Sequence, residues 1–193
     1  MLKIRKLSFG GKISKIKDGD SAIIFLEQNV AGKFNTIIPI FIPKEQKEHI
    51  YSKNPSLGDY LYIHEGIVYE KENTLFLRID NLSQFILTKE EIIINSLTFS
   101  GIVHSISTEL NELEISQELT NEPPMILPVK IPKRLKSYIS SLDLTLGDEV
   151  LASSVILYAK NGVIKTRVSE EKELLRIKKK YDLGKENAFE KFI

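Results

Sequence analysis

The chain has 193 residues, 42% hydrophobic and 27% charged, with a formal net charge of +1 and no cysteine. That content suits one large or two small soluble domains and excludes a disulfide scaffold. No apolar run approaches the roughly 20 residues of a spanning helix, and no cleavage pattern follows Met1-Leu2-Lys3-Ile4-Arg5-Lys6, so the expected setting is cytoplasmic, with no membrane. A near-neutral balance also excludes the broad positive field of many sequence-blind nucleic-acid binders, so any such activity rests on local patches.

In chain order, residues 7–17 read as a strand whose Gly10-Gly11 pair signals a bulge or bend. Residues 21–29 and 33–42 are β-branched and aromatic runs split by Val30-Ala31-Gly32, a hairpin signal. Pro43 sits where a helix can begin, Lys44 to Tyr51 follow, and Asn54-Pro55 ends the segment. Two further strands are predicted near 59–65 and 74–80, joined through Gly66 to Asn73. The same order then returns, with Pro132 opening a helix and Leu142 to Gly147 closing it.

The return is an internal repeat. Leu7-Ser8-Phe9-Gly10-Gly11-Lys12-Ile13 recurs as Leu97-Thr98-Phe99-Ser100-Gly101-Ile102-Val103, an offset of 90. After a one-residue deletion the offset is 89: Pro39 to Lys44 recurs as Pro128 to Lys133, Leu57-Gly58-Asp59 as Leu146-Gly147-Asp148, and Tyr69, Lys71 and Arg78 as Tyr158, Lys160 and Arg167.

Three strands, a helix and two strands form the element order of the oligonucleotide/oligosaccharide-binding (OB) barrel. The expected fold is therefore mostly β: two tandem OB-fold five-stranded barrels, each with a helix between strands 3 and 4, plus a C-terminal helix. The expected divisions are 1–82 for the first barrel, 83–96 for a linker, 97–169 for the second barrel and 170–193 for a basic helix and tail. The stretch from Phe34 through Ile42, Ser56-Leu57-Gly58-Asp59 with Glu65-Gly66, and Leu75 to Ile79 resembles the later half of bacterial single-stranded-DNA-binding proteins. The resemblance covers a quarter of the chain and implies a barrel that binds single strands. Phe34 would stand where that family often has a base-stacking tryptophan, since this chain has none, and the acidic C-terminal tip of that family is absent.

A strand position that is charged in one copy is expected to face outward in both. Phe41, Tyr60 and Phe76 have Lys130, Glu149 and Lys165 as counterparts, so they should point out, with Tyr62 on the face of Tyr60. Near Lys33, Lys71 and Arg78, these rings form the mixture that single-strand grooves use, rings for bases and cations for phosphates. The same apolar surface also fits a docking face for a protein partner or for self-association. The register of 21–29 stays open because the gap falls near its counterparts, which leaves Phe25 compatible with the core. Copy two differs, with Glu109, Glu112, Glu114, Glu118 and Glu122 in its second-strand region and no lysine or arginine there.

Two basic segments remain. One carries Lys3, Arg5, Lys6, Lys12, Lys15 and Lys17. In the other, Ser169, Glu170 and Glu171 would open a helix, Leu174, Ile177 and Tyr181 would form its apolar stripe, and Lys178, Lys179 and Lys180 would serve either its end or phosphates. His49, His64 and His104 lack metal-ligand spacing, and no nucleophile elbow or phosphate loop occurs. The expectation is a binding protein for single-stranded DNA or RNA, without enzyme activity, metal or cofactor. The alternative is a protein-binding or structural adaptor.

Overall fold

A computed structural model describes residues 4–30, 34–71, 74–78, 84–119, 122–160 and 163–180. It divides into two compact units, Arg5–Leu97 with Ile156–Lys165, and Met1–Ile4 with Thr98–Val155 and Thr166–Ile193.

In the first unit, strands β1 (Arg5–Lys17), β2 (Ala22–Val30) and β3 (Phe34–Ile42) form a meander. Helix α1 (Lys44–Ser52) follows, then β4 (Tyr60–Lys71) and β5 (Thr74–Arg78). The pairing order is β1-β2-β3-β5-β4, and β4 returns to β1, which closes a five-stranded barrel. β1 makes the closure by serving two partners: Leu7 to Lys12 pair with β4, and Lys12 to Lys17 with β2. Gly11 permits this double use, because a Cβ there would sit 2.8 Å from the Glu27 carbonyl oxygen on β2. Period-two alternation fills the interior: Ala22, Ile24 and Leu26 of β2, Ile38, Ile40 and Ile42 of β3, and Leu61 and Ile63 of β4 are fully buried.

Two sequence expectations are corrected in this unit. Residues 66–71 are not part of a connecting loop, since β4 runs through Gly66, opposite Leu7, to Lys71. Residues 83–96 are not a plain linker: β6 (Phe85–Thr88) pairs with β4 through Tyr60 to Ile63. The reason is burial, because Phe85 is only 4% exposed, in a T-shaped contact with His49 of α1 (5.8 Å between ring centres) and with the ammonium of Lys53, the C-cap of α1, 4.9 Å from its ring centre. His49 thereby has a packing role.

In the second unit, β7 (Ile94–Ile106, from Thr98 onward), β8 (Glu112–Leu119) and β9 (Glu122–Lys130) are followed by a 3-10 turn, helix α2 (Lys136–Ser141), β10 (Glu149–Lys160, as far as Val155) and β11 (Val163–Arg167, from Thr166 onward). β9 lies between β8 and β11, and β10 pairs with both β11 and β7. The expected C-terminal helix is overturned for its described part. Glu171–Glu173 form a 3-10 turn, and Leu174–Lys178 are a strand, β12, paired with β10. Leu174 is buried, Tyr138 donates its hydroxyl to the Leu174 carbonyl (2.8 Å), and Arg176 donates to the carbonyls just past α2, those of its C-cap Leu142 (2.5 Å) and of Asp143 (3.1 Å). These contacts satisfy helix-end acceptors that otherwise need water. Tyr181, the last member of the proposed stripe, lies outside the described residues.

The Leu-Gly-Asp turns explain themselves chemically. Gly58 and Gly147 hold φ of +94° and +92°, a region open mainly to glycine. Each following aspartate is buried and accepts the N–H three residues back, Ser56 to Asp59 and Thr145 to Asp148, both at 3.0 Å. Lys89 pairs with Asp59 and lowers its pKa, with the Ser56 N–H assisting. Burial opposes the charge on Asp148, but the N–H groups of Lys180 (2.9 Å) and Thr145 outweigh it and hold the carboxyl below the usual range. Carboxyls lowered in the fold add stability that is full above the unfolded value, about 4, and is lost as pH falls through the folded values. Thermal stability should therefore drop as pH falls below about 4, and Asp148→Asn should flatten that part of the profile. An unchanged acid profile in the variant would count against this role.

Buried glutamines hold each unit at equivalent positions. In the first unit Gln28 donates to the carbonyls of Gly10 (2.7 Å) and Ile94 (2.9 Å), and in the second Gln117 donates to those of Ser100 (2.8 Å) and Ile4 (3.2 Å). Gln28→Leu leaves two acceptors without that donor, which should cost about 1–3 kcal/mol, read as a lower urea midpoint.

Candidate nucleic-acid interface

The outer surface of the first barrel is set by register. Because Ile24, Leu26, Ile40 and Ile42 point inward, Ile23, Phe25, Pro39 and Phe41 stand on the opposite face, each partly exposed. Phe25 is thus outside the core, which settles the open register of its strand. One row across the sheet reads Lys17, Ile23, Phe41, Arg78, and the next reads Lys15, Phe25, Pro39. The ammonium groups of Lys15 and Lys17 lie 5.9 Å and 5.5 Å from the Phe25 ring centre, within cation–π range. Two exposed lysines, two outward rings and an arginine therefore share one face. Such a face offers an anionic, unsaturated ligand both charge and stacking.

The sequence-predicted residues divide. Phe41 and Arg78 are register neighbours on β3 and β5. Tyr60 and Tyr62 also point outward, but they flank the other half of β1, opposite Lys12 and Gly10, and pair on their far side with Thr88 and Ile86 of β6. Tyr62 lies 6.1 Å from the His64 ring, and Ile86 is 50% exposed, so this is a second, more apolar patch. Lys33 lies outside the described residues. Phe34, Lys71 and Phe76 are placed on β3, β4 and β5, and their side chains lie outside the description.

Lys178, Lys179 and Lys180 are not presented by a helix, which corrects the element expected to carry them. Lys178 ends β12 opposite Glu149, Lys179 pairs with Asp143 at 3.0 Å, and the Lys180 N–H binds Asp148 while its side chain covers Gly147. Their positions serve the α2 exit and the adjoining turn. Sequence reasoning missed Phe25, Lys15 and Lys17 as one constellation. The usable signal was the counterpart pair: Phe25 aligns with Glu114 once the gap is placed between β1 and β2.

The equivalent face of the second unit is closed by its own charges. The counterparts of Ile23 and Phe41 are Glu112 and Lys130, which form an ion pair at 2.5 Å. The counterparts of Phe25 and Lys15 are Glu114 and Ser105, joined by a hydroxyl donating to the carboxylate at 2.6 Å. Where the first unit has rings flanked by cations, the second has paired carboxylates on β8, and Arg167, the exposed counterpart of Arg78, stands beside Lys130. Among the described residues, no group of histidines and carboxylates is placed to hold a metal ion, and no helix is long and apolar enough to cross a membrane.

The sequence matches no protein-family model and no curated protein. Among solved structures, the chain is similar to a deletion mutant of the single-stranded DNA binding protein from Thermus aquaticus, with TM-score 0.62 and 12% identity over 92% of this chain and 96% of that one. Looser matches are fission yeast Pot1 with ssDNA (TM-score 0.33, 8% identity, 94% and 86% covered) and a murine DNA binding protein bound with ds DNA (TM-score 0.29, 8% identity, 91% and 97% covered); at these scores neither carries an argument. At 12% identity the first likeness speaks for the fold, a mostly β chain with an OB-type closed barrel.

Proposed function

We propose that this chain is a sequence-independent single-stranded nucleic-acid-binding protein made of two tandem OB-type barrels, the second built by duplication of the first. The duplication reading is supported by the repeat and by pairing orders that match strand for strand, β1-β2-β3-β5-β4 beside β7-β8-β9-β11-β10. The binding reading is carried by one observation, the outward face that sets Phe25 and Phe41 among Lys15, Lys17 and Arg78. Bases stack on the rings while the cations neutralise phosphates, and no set of side chains reads base edges.

The test is a titration of fluorescein-labelled oligothymidylate and oligouridylate at two salt concentrations. Affinity should fall with salt at a slope of about −2, for three phosphate contacts at about −0.7 each. Mixed-sequence oligomers should compete equally. Absence of binding at low ionic strength would remove this reading.

A second reading, a protein-binding adaptor, is favoured by the Tyr60, Tyr62 and Ile86 patch, which lies apart from the lysines at 15 and 17. Under that reading Tyr62→Ala abolishes partner capture and leaves oligonucleotide binding unchanged. Loss of oligonucleotide binding in Tyr62→Ala would assign that patch to the nucleic-acid path.

A further inference from the structure

We infer that the last residues of the chain, 185–193, dock as a short amphipathic helix on the outward face of β10 and β12 in the same molecule. That face carries an apolar strip, and register builds it. Ala152 and Leu174 are partners inside the unit and fully buried, so the next pair, Leu151 and Leu175, stands outward. Leu151 is half-buried and Leu175 is 43% exposed, while Ile177, set beside them by the register shift at Glu149, is 44% exposed. Leu146, on the turn that leads into β10, is exposed as well, and Glu149 opposite Lys178 closes one end of the strip. β12 is the last strand in its sheet order. An apolar edge strand of this kind is normally covered by another element of the fold.

The occupant follows from where the chain goes next. β12 ends at Lys178, and the Lys180 N–H is fixed on Asp148 at 2.9 Å, beside the turn into β10. Residues 181–193 lie outside the described residues, and they read Tyr181-Asp182-Leu183-Gly184-Lys185-Glu186-Asn187-Ala188-Phe189-Glu190-Lys191-Phe192-Ile193. Ala188, Phe189, Phe192 and Ile193 fall at spacings of three and four, one face of a helix, and Glu186, Asn187, Glu190 and Lys191 fall on the other. Glu190-Lys191 between the two phenylalanines breaks the alternation a strand requires.

Length and tether agree with this placement. A helix over 185–193 is about 13 Å long at about 1.5 Å per residue, close to the roughly 17 Å of β12. Residues 181–184 can cover about 13 Å and include Gly184, so the chain can reverse beside Asp148 and run back over Ile177 and Leu175. So short a linker holds the segment at roughly millimolar effective concentration, which makes docking on a small strip favourable. A free helix of this length is marginal in water, so helical order in 185–193 reports the docked state.

The chain has no tryptophan, so full-length Phe192→Trp carries a single reporter. Its emission should be blue-shifted from that of N-acetyltryptophanamide, and iodide should quench it about tenfold less, as a docked-to-free ratio of about ten gives. Ile177→Lys in the same chain, an exposed change, should return both readings to the free values with the thermal melt retained. Ile86→Lys, on the exposed edge strand of the first unit, should change neither. In the wild-type chain, amide exchange over 186–193 should be slowed at least about tenfold, and Phe189→Asp should abolish that protection. Tryptophan emission of the free type, emission indifferent to Ile177→Lys, or unprotected amides over 186–193 would overturn the docking. A blue shift that fades on dilution, with a dimer mass in sedimentation, would place the segment on a second copy and overturn it equally.

Discussion

Cutting the chain between Ser96 and Leu97, the natural boundary from sequence, should yield two fragments that fail to hold the native fold. The cut falls inside β7, Ile94–Ile106, and it separates each compact unit from a segment it needs. The first unit includes Ile156–Lys165, where the Asn95 amide donates to the Leu157 carbonyl at 2.7 Å and its oxygen accepts the Leu157 N–H at 2.8 Å. The second includes Ile4, whose N–H binds the Ser100 hydroxyl at 2.7 Å and whose carbonyl accepts the Ser100 N–H at 3.0 Å. Losing a strand end exposes buried hydrogen-bonding groups as well as apolar area, and small barrels have little stability to spare. Circular dichroism should show loss of the cooperative melt in each fragment, with recovery when the fragments are mixed. Two fragments that melt separately at the full-chain temperature would refute the exchange of segments.

Lys15→Glu with Lys17→Glu is expected to reduce oligonucleotide affinity by at least a hundredfold at low salt. Two phosphate contacts are lost, so the salt slope should become shallower by about 1.4, and the new carboxylates add repulsion beside Phe25. Both lysines are exposed strand residues, and their losses on folding stability should stay within about 0.5 kcal/mol. The matched control is Lys133→Glu, an exposed cation of the second unit, which should alter affinity little. If the control weakens binding as much as the double variant, the effect is one of total charge and the first-unit face is not its seat.

Much of the barrel was legible because its signals are local. Alternation in Ala22 to Leu26, Pro43 ahead of α1 and the glycine of each Leu-Gly-Asp turn report backbone states that nearby residues impose. The outward position of Phe41 was legible for a different reason: Lys130 occupies the equivalent site and a charge rarely sits in a core, whereas Glu149, the counterpart of Tyr60, is only 8% exposed, so the outward position of Tyr60 does not rest on that rule.

What the sequence by itself determined was the five strands of each copy, the helix after each meander and the outward side of β3. Only the tertiary structure decided the rest. Leu174-Leu175-Arg176-Ile177 carries spacings that satisfy a helix or a strand, and pairing with β10 plus the buried seat of Leu174 selects the strand. Phe85 to Thr88 is likewise too short to announce itself until β4 supplies partners and α1 a lid for Phe85. The division of the aromatic set into two patches follows from β1 serving β4 with one half and β2 with the other, a register that exists only once the barrel closes. Phe25 joined Lys15 and Lys17 for the same reason: residues ten and eight apart in sequence become neighbours through cross-strand pairing, and no local periodicity encodes which residue they will face.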